Sequence, residues 1–363
     1  MRRKLGGMRR ESYRMSREEA VALFARAPFV HLASTTPGGE PVLRVVHGVV
    51  VGELLAFHAA PAGEKMECLG RSAVVSAEEV VAEIPSYFLD PERACPATTY
   101  YRSAQVHGPI EVVDDLPTKA AVMAALMAKY QPEGGHVPIT ADDPLYRKPL
   151  AGLLVAGVHL GAVDGKGKLG QNRKPEELAV VATRLWERGR PADPAAIEAL
   201  LGANPDVPVP AFLRGPAGER LVCAPSVGDA DDAAALLFGA YWLPLVPRED
   251  IAAAQRGSPA WVVAKDTSGR LIATARAISD GRQRAWVFDV FVAEPHRGRG
   301  LGEALLRLLL GHPALRAVAR IALRTRDAER LYERVGFRVD ARVPSPNGAW
   351  TSTEMSLTRR APS

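Results

Sequence analysis

The sequence predicts two domains of different class: a β-rich N-terminal half that forms a barrel or sandwich, and an α/β C-terminal half with a mixed sheet. Three observations support this prediction. The chain has 363 residues, more than one hydrophobic core ordinarily supports. Short apolar runs separated by Gly, Pro or charged turns fill the first half, as is typical of all-β folds. In the second half, strand-like and helix-like segments alternate.

Composition and charge limit the class of protein. With 47% hydrophobic and 24% charged residues, the chain has an ordinary globular composition. No apolar run approaches the ~20 residues of a membrane span, and the basic N-terminus leads into no apolar secretory segment. The three scattered cysteines form no metal or disulfide pattern, so we expect a cytoplasmic protein without a metal site. The net charge of +5 permits nucleic-acid contact but argues only weakly for it.

The elements of the first half begin with a helix. Ser16 precedes Glu19 by the spacing of a capping box, ahead of an apolar stripe. Short β-like runs follow: "FVHLAST", "PVLRVVHGVVV", "ELLAFHAA", "SAVVSAEEVVAEI", "YYRSAQVHGPIEVV" and "LVAGVHLGAVDGK". An Ala- and Met-rich helix interrupts them, and a closing helix begins at Pro175 and ends before Gly189.

Composition also sets the expected boundaries. A segment dense in Pro, Gly and Ala separates the halves and predicts a linker at 204–219. We therefore expect a basic tail at 1–14, a β-rich domain at 15–203 and an α/β domain at 220–363.

One stretch of the second half conflicts with its own predicted structure. Between a strand and a helix stand Arg297, Gly298, Arg299, Gly300, Leu301 and Gly302. A glycine within an element costs roughly 0.5–1 kcal/mol relative to alanine, so this density indicates function rather than stability. Amides at a helix start are unpaired and partly positive, and glycines let an anion approach them. The stretch predicts a cradle for a di- or polyphosphate.

A second motif, "TRDAERLYERVGF", follows after another strand. Together the two motifs resemble those of GNAT-superfamily N-acetyltransferases. The family's phosphate turn, Arg/Gln-x-x-Gly-x-Gly/Ala, is matched by Arg297, Gly300 and Gly302. Its "A-x-x-L-Y-x-x-x-G-F" element is matched by Ala328, Leu331, Tyr332, Gly336 and Phe337. The resemblance implies a GNAT fold and an acetyl-CoA-dependent N-acetyltransferase.

The resemblance also implies residue roles. The turn from Arg297 to Gly302 holds the pyrophosphate of acetyl-CoA, and Phe291 and Val292 offer backbone groups to the pantetheine arm and the acetyl carbonyl. Tyr332 faces the sulfur, where a phenol with a pKa of about 10 protonates the departing thiolate. The chain departs from the family at Thr325-Arg326-Asp327, where many members carry an Asn that helps to hold the cofactor arm.

The acceptor side needs a base, because an amine attacks a thioester only as the free base. Asp289 is a charged residue in an otherwise apolar strand and is the first candidate; the alternative is a structural hydrogen-bond acceptor. Asp280 is the second candidate, although a turn residue before Gly281 is the simpler interpretation. We expect the acceptor to be a small-molecule amine.

The first half resembles the pyridoxamine-phosphate-oxidase-like split barrel, in its nitroimidazole-reductase-like branch. The resemblance is carried by "LLAFHAAPAGEKMECLGR" and "TTYYRSAQVHGPIEVVDD", while "GKGKLGQNRKPEEL" is similar to a related FMN-binding family. It covers about residues 15–190. It implies FMN as the cofactor, with F420, heme or no cofactor as alternatives, and a homodimer whose interface holds the flavin.

Candidate FMN residues follow from that resemblance and from the chemistry of a phosphate with a flat apolar ring. Lys65 follows Gly63 in a strand-to-helix turn, which places an ammonium and N–H groups on a phosphate. The backbone of Arg44 and Val45 would flank the ring. The other candidates are His58 at a strand end, Arg102 and Ser103 on a later strand, and Gln171 and Asn172 from the second subunit.

Two functions remain open at this point. The first is a two-module enzyme in which an FMN-binding, oxidoreductase-like barrel is fused to an N-acetyltransferase. The alternative is a flavin-binding transcriptional regulator or sensor whose GNAT half modifies or responds to a ligand and whose basic tail contacts nucleic acid. No helix-turn-helix is evident in the sequence, which favours the enzyme.

Overall fold

A computed structural model describes residues 10–345 and 349–359, and its contacts divide the chain into two compact units. The first unit contains the described residues up to Ile84 together with Ala97–Gln171, and the second contains Pro85–Pro96 and the described residues from Asn172 onward. Most of the basic tail predicted at 1–14 lies outside the described residues. Where the description begins, Glu11–Tyr13 forms a 3-10 helix with Tyr13 buried.

The first unit is built on two antiparallel sheets. Its strands are β1 (Val30–Thr35), β2 (Pro41–Val46), β3 (Val49–Val51), β4 (Leu54–Ala59), β5 (Ser72–Ile84), β6 (Thr98–Pro109), β7 (Glu111–Val113), β8 (Leu154–His159) and β9 (Val163–Lys168). The larger sheet has the order β2-β1-β5-β6-β9 and the smaller β3-β4-β8-β7. The arrangement confirms the predicted split β-barrel.

One apolar core joins the two sheets of the barrel. Leu32 and Val106 of the larger sheet and Phe57 and Val158 of the smaller sheet are all buried in it. Successive residues of a strand face opposite sides, so the residues between these point away from the core.

The helices of the first unit are α1 (Arg17–Arg26), α2 (Leu116–Tyr130) and α3 (Pro144–Gly152). The predicted capping box is present at the start of α1. The Glu19 amide donates to Ser16 Oγ at 3.1 Å, and the Ser16 amide donates to Glu19 Oε2 at 2.8 Å. Leu23 and Phe24 of α1 are buried in the barrel core, so the cap fixes where this apolar face begins.

The second unit is an α/β layer structure. Its helices are α4 (Pro175–Arg188), α5 (Asp193–Ala203), α6 (Val227–Leu237), α7 (Arg248–Arg256), α8 (Leu301–Leu310), α9 (Pro313–Arg316) and α10 (Glu329–Arg334). Its strands are β10 (Arg220–Val222), β11 (Ala260–Lys265), β12 (Leu271–Ser279), β13 (Arg284–Val292), β14 (Arg320–Thr325), β15 (Arg338–Pro344) and β16 (Thr351–Thr358).

These strands form one sheet in the order β10-β11-β12-β13-β14-β16-β15. β13 and β14 are parallel and the other neighbours are antiparallel, which confirms the predicted mixed sheet. Trp261 and Val263 of β11 pack with α6 and α7, while α8 packs on β11, β12 and β13. Because β11 is buried at nearly every residue, helices cover both of its faces.

The contacts place the boundary between the units before Asn172 rather than in the linker predicted at 204–219. α4 and α5 belong to the second unit. Trp186 of α4 stacks on Phe212 with 4.8 Å between ring centroids, and the Arg316 guanidinium lies 4.9 Å from the Trp186 ring centre. Leu213, within the predicted linker, is fully buried. Pro and Gly mark turns here, but apolar residues between the turns fold the segment into the second unit.

The helices of the described residues include none long and apolar enough to cross a membrane. Over the same part of the chain, no group of three or more His, Cys, Asp or Glu residues is placed to hold a metal ion.

Candidate functional site

The second unit contains an opening where two neighbouring strands separate. β13 and β14 pair from Arg284 with Arg320 to Trp286 with Ala322. Beyond that point the described residues show no further ladder between these strands, although β13 continues to Val292. Backbone groups along this edge of β13 are therefore available to a ligand.

A β-bulge lies in β13 at this opening. On β12, Thr274 pairs with Phe291 and Arg276 with Phe288, so Asp289 and the valine after it oppose a single residue. Asp289 has a φ of 52° and is the one non-glycine residue with positive φ in the described chain. Such a conformation costs of order 1–3 kcal/mol and persists only where the surroundings hold it. The bulge bends the strand next to the opening.

Three side-chain donors hold the Asp289 carboxylate, which is only 7% exposed. Trp242 Nε1 donates to Oδ1 at 3.1 Å, and Gln255 Nε2 and Arg276 Nε donate to Oδ2 at 3.1 and 2.5 Å. A carboxylate offers about four acceptor positions, so most are occupied within the protein. This geometry is that of a structural hydrogen-bond acceptor, the alternative weighed for Asp289 against a base.

The predicted phosphate turn joins β13 to α8 with its amides unused. Gly300 is the N-cap of α8 with φ 85°, and Gly298 has φ 73°. The first helical bond runs from the Ala304 amide to the Gly300 carbonyl. Within the described chain, none of the amides from Gly298 to Glu303 donates to the protein. Residues 297–300 are exposed. The turn therefore presents a row of free N–H groups at a helix start, the geometry of an anion cradle.

Arg297 fixes the turn to the end of β13. Its Nε donates to the Val292 carbonyl at 2.9 Å, and its guanidinium lies 5.4 Å from the centre of the Phe291 ring. A Cβ on Gly302 would lie 3.5 Å from Leu331 and 3.6 Å from Val292, which is ordinary contact. Close packing within the protein therefore does not require glycine at position 302. A ligand that approaches the backbone closely would require it.

The turn, the bulge and the start of α10 surround one cleft of about 800 Å³. The cleft unites Phe291, Val292 and the turn residues predicted as acetyl-CoA contacts, except Arg299, which is exposed beside it. Its remaining lining residues are Ala240, Tyr241, Trp242, Val290, His296, Glu303, Asp327, Ala328, Leu331 and Arg334.

Tyr332 lies beside the cleft on α10. It is 7% exposed and packs edge-on against Phe337 with 5.9 Å between ring centroids. Burial, then the nearby Tyr241 and Asp327, raises the pKa of the Tyr332 phenol well above its ordinary value. The phenol is therefore neutral near pH 7 and able to donate a hydrogen bond.

The segment that departs from the family pattern has a local role in the structure. Thr325 Oγ1 accepts a hydrogen bond from the Ala328 amide at 3.1 Å, which helps to start α10. Asp280 is likewise local: its carboxylate accepts from the amides of Arg282, Gln283 and Arg284. Asp280 does not line this cleft, and its geometry is that of a turn residue.

In the barrel, the structure spreads the predicted flavin residues apart. Arg44 and Val45 lie on β2, whereas Arg102 and Ser103 lie on β6, with β1 and β5 between them. Arg102 pairs with Glu79 at 3.6 Å. The Gln171 side chain accepts from the Leu169 amide and donates to the Gly167 carbonyl, and Asn172 is exposed. A single chain does not gather these groups into one site.

His47 and Lys65 both lie within electrostatic range of His58 in the barrel. Lys65 and His47 act electrostatically on His58, and burial followed by these two residues lowers the pKa of the His58 imidazole. The His47 ring stacks between Phe29 at 5.2 Å and Tyr130 at 4.7 Å. Converging basic groups beside aromatic rings suit an anionic, aromatic ligand.

Sequence reasoning missed several residues that the structure brings to the cleft. Gln255 and Arg276 hold Asp289, yet they lie on α7 and β12 and no local motif marks them. Tyr241 lines the cleft beside Trp242. In the barrel, His47 acts electrostatically on His58.

Comparison with known protein families gives two matches. The profile of the family described as "Pyridoxamine 5'-phosphate oxidase" matches residues 16–166, and that described as "Acetyltransferase (GNAT) family" matches residues 230–337. Comparison with curated proteins gives no match.

Three solved structures are among those similar to this chain. The FAD and heme binding protein from Mycobacterium smegmatis is 24% identical over 44% of this chain and 74% of its own, with a TM-score of 0.37. A GNAT-family acetyltransferase structure from Xanthomonas campestris is 31% identical over 34% of this chain and 85% of its own, with a TM-score of 0.30. The ribosomal-protein-S18-alanine N-acetyltransferase from Escherichia coli is 21% identical over 40% of this chain and 96% of its own, with a TM-score of 0.34.

The profile matches coincide with the barrel and with the mixed-sheet unit. The chain is thus a fusion in which residues 16–166 belong to the pyridoxamine 5'-phosphate oxidase-like split barrels and residues 230–337 to the GNAT acetyltransferases.

Proposed function

We propose that the second unit transfers the acetyl group of acetyl-CoA to the primary amine of a small molecule. The observation that carries this proposal is the row of amides from Gly298 to Glu303, which have no protein partner in the described chain and stand at the start of α8. Such a row matches the diphosphate of the coenzyme. The neighbouring opening between β13 and β14 suits the pantetheine arm.

The chemistry requires a C–N bond to form and the C–S bond of the thioester to break. Tyr332 donates a hydrogen bond to the departing sulfur. Because the pKa of the phenol is raised, complete proton transfer to a thiolate is uphill, since the pKa of a thiol is about 8.5. The role of the phenol is therefore to stabilise the leaving sulfur while the charge develops.

The proton of the attacking amine needs a different acceptor from Asp289. Two carboxylates line the cleft, and Glu303 is paired with Arg307 at 2.7 Å and Arg334 at 3.1 Å. Asp327 is exposed and has no ion pair within the described residues. We assign the proton to Asp327, directly or through water. Asp289 then acts as a positioning residue that holds the bulge and Trp242.

A screen of primary amines with acetyl-CoA, following thiol release, tests this proposal. We expect release that depends on the amine and a product one acetyl group heavier. Because Cys95 is an exposed thiol, a blank without amine sets the baseline. Asp327→Asn should lower kcat/KM, because the amine proton loses its assigned acceptor. The absence of amine-dependent release across the panel would contradict the transferase.

For the barrel we propose flavin binding, with the phosphate near Lys65, His58 and His47, where the lysine supplies positive charge and the imidazoles supply N–H donors. The convergence of these groups supports the proposal, and a bound flavin would supply electron-transfer chemistry. FMN fits the anionic requirement, as does FAD. Purified protein should be yellow or should quench FMN fluorescence on titration. A colourless protein that leaves FMN fluorescence unchanged would contradict this assignment.

A homodimer through the barrel would complete the site. Strand β2 is an edge of the larger sheet, and Leu43 and Val45 on it are 61% and 59% exposed. Exposed apolar residues on an edge strand are typical of a surface that another chain covers. Sedimentation should show a dimer that Leu43→Lys, Val45→Lys dissociates; a monomeric wild type would contradict the dimer.

The regulator is the second candidate, and the basic N-terminus at 1–14 is its motivation. Residues 1–9 lie outside the described residues, and Arg14 pairs with Asp164 at 3.0 Å. A salt-dependent DNA mobility shift that disappears on deletion of residues 1–9 would favour the regulator over the enzyme.

A further inference from the structure

Arg326 is held between two aromatic rings at the edge of the cleft. Its guanidinium lies 5.4 Å from the centre of the Tyr241 ring and 5.7 Å from that of the Trp350 ring. The residue is exposed, and no ion pair joins it to a carboxylate in the described part of the chain. The neighbouring residues 346–348, which fall outside that part, are Pro-Asn-Gly and carry no acidic side chain.

The place of Arg326 separates it from the phosphate turn. That turn follows β13, whereas Arg326 follows β14, which forms the other side of the opening. From Arg326, aromatic rings lead to the bulge: Tyr241 contacts Trp242 with 4.9 Å between centroids, and Trp242 lies 6.2 Å from Phe291. Asp327, the carboxylate assigned to the amine proton, is the next residue and lines the cleft.

Stacking prepares a guanidinium to bind an anion. The rings hold the centre of the guanidinium in place, and its side-chain N–H donors have no acceptor within the described residues. Such a fork matches a carboxylate in two parallel hydrogen bonds, which a lysine ammonium does not reproduce. The diphosphate of the coenzyme is assigned to the free amides of the turn after β13, on the other side of the opening, which leaves Arg326 available for an anion of the other substrate.

We infer that Arg326 recognises a carboxylate on the acceptor, and that the acceptor class is a primary amine bearing a carboxylate, such as an amino acid. This inference rests on the proposed acetyl transfer. The ammonium end of such a molecule, once deprotonated, would face the acetyl group near Asp327, while its carboxylate binds the guanidinium. Arg326 is thus a specificity-determining residue.

Matched acceptor pairs test the inference in the full chain. The probes are α-, β- and γ-amino acids, each against its own carboxamide, with kcat/KM measured from thiol release. The ratio of kcat/KM for each amino acid to kcat/KM for its carboxamide is compared between wild type and Arg326→Gln. Differences in amine basicity cancel because both proteins use the same substrates. We expect the ratio to fall about 10-fold or more in the variant, the effect of losing one charge-assisted contact, with kcat/KM for the carboxamides retained.

Two further variants isolate the cause. Arg330→Gln removes an exposed arginine of α10 with the same change in charge and should leave the ratio unchanged. Arg326→Lys keeps the charge without the planar fork and should recover only part of the ratio. The Kd of CoA should be the same in all of them.

The results that overturn the inference are distinct from failure of the transferase. An unchanged ratio in Arg326→Gln, or equal loss for acids and carboxamides, assigns Arg326 a purely structural role. A raised Kd for CoA places it at the coenzyme. Absence of thiol release with every amine in the wild type instead removes the proposed acetyl transfer on which the inference depends.

Discussion

The GNAT unit gathers its candidate ligand groups in one short stretch of chain, whereas the barrel spreads its candidates over several strands. The turn from Arg297 to Gly302 supplies consecutive free amides by itself. In the barrel, Arg44 and Arg102 lie on β2 and β6 with two strands between them. A ligand site made of local backbone closes within one chain, while a site made of distant strands depends on tertiary and subunit contacts.

The two units also differ in how their charges are satisfied. The cleft leaves Arg299 and Arg326 without carboxylate partners in the described chain and commits Asp289 to three donors. In the barrel, Arg102 is paired with Glu79, which Arg26 also contacts at 2.6 Å. Cations without a carboxylate partner thus border the proposed coenzyme site, whereas Arg102 of the barrel lies beside an acidic neighbour.

The largest expected effect is on chemistry in the GNAT unit. Tyr332→Phe should lower kcat by about 10²–10³-fold, the usual range for removal of a positioned hydrogen-bond donor to developing charge, with the Kd of CoA unchanged. Because the pKa of Tyr332 is raised, kcat of the wild type should show no loss from its ionisation below about pH 10. Tyr241→Phe is the control within the same cleft, and an equal loss there would remove the special role of Tyr332.

Asp289→Asn should destabilise the second unit by about 3 kcal/mol, because it leaves the Arg276 guanidinium buried without its partner. The Arg276 side chain is only 11% exposed. Urea unfolding measures the change. The control is Asp231→Asn, which breaks a surface pair with Arg256 and should cost at most about 1 kcal/mol. Full stability together with a large loss of kcat/KM would instead make Asp289 the base.

Gly300→Val should raise the Kd of CoA by about 30-fold or more, because a branched side chain at positive φ both strains the turn and blocks the approach of a phosphate. Gly281→Val is the matched control, since Gly281 has a φ of 77° and lies at the opposite turn between β12 and β13. Calorimetry on both variants separates the two effects. Similar CoA affinity in the two would show that the turn does not bind the diphosphate.

The free energy of unfolding of the second unit should fall in acid because of His312. Burial, then Arg316, lowers the pKa of His312 to about 4, below the roughly 6.5 of an unfolded histidine. The folded state thus favours neutral His312. The contribution of His312 to the free energy of unfolding is fully present above pH 6.5 and is lost, by about 2–3 kcal/mol, as the pH drops towards 4. His312→Asn keeps an acceptor for the Ala314 amide and should flatten this part of the unfolding curve against pH. Parallel curves for both proteins would contradict the assignment.

The smallest effect concerns the barrel. Lys65→Gln should weaken FMN binding by roughly 10-fold, the contribution of one partly solvated charge contact to a phosphate. The exposed Lys148→Gln should leave FMN affinity unchanged and serves as the control. Equal FMN affinity in Lys65→Gln and the wild type would show that Lys65 does not bind the flavin phosphate.

Local patterns predicted much of this molecule. The capping box at Ser16, the glycine turn at Gly300 and the alternation of strands and helices each act over a few residues, and the structure shows them in place. Contacts between distant segments were not predictable from such patterns. Gln255 and Arg276 meet Asp289 only through the sheet, and α4 joins the second unit through Trp186 stacking on Phe212. No local rule encodes those partners, because their energies depend on packing across the fold.

Titration of CoA into the intact wild-type chain by calorimetry tests the central claim most directly. The free amides from Gly298 to Glu303 and the adjoining arginines predict saturable binding that weakens as salt rises, and that pyrophosphate competes with. Absence of binding heat at any salt concentration, or binding indifferent to pyrophosphate, would contradict the assignment of this turn as the coenzyme site.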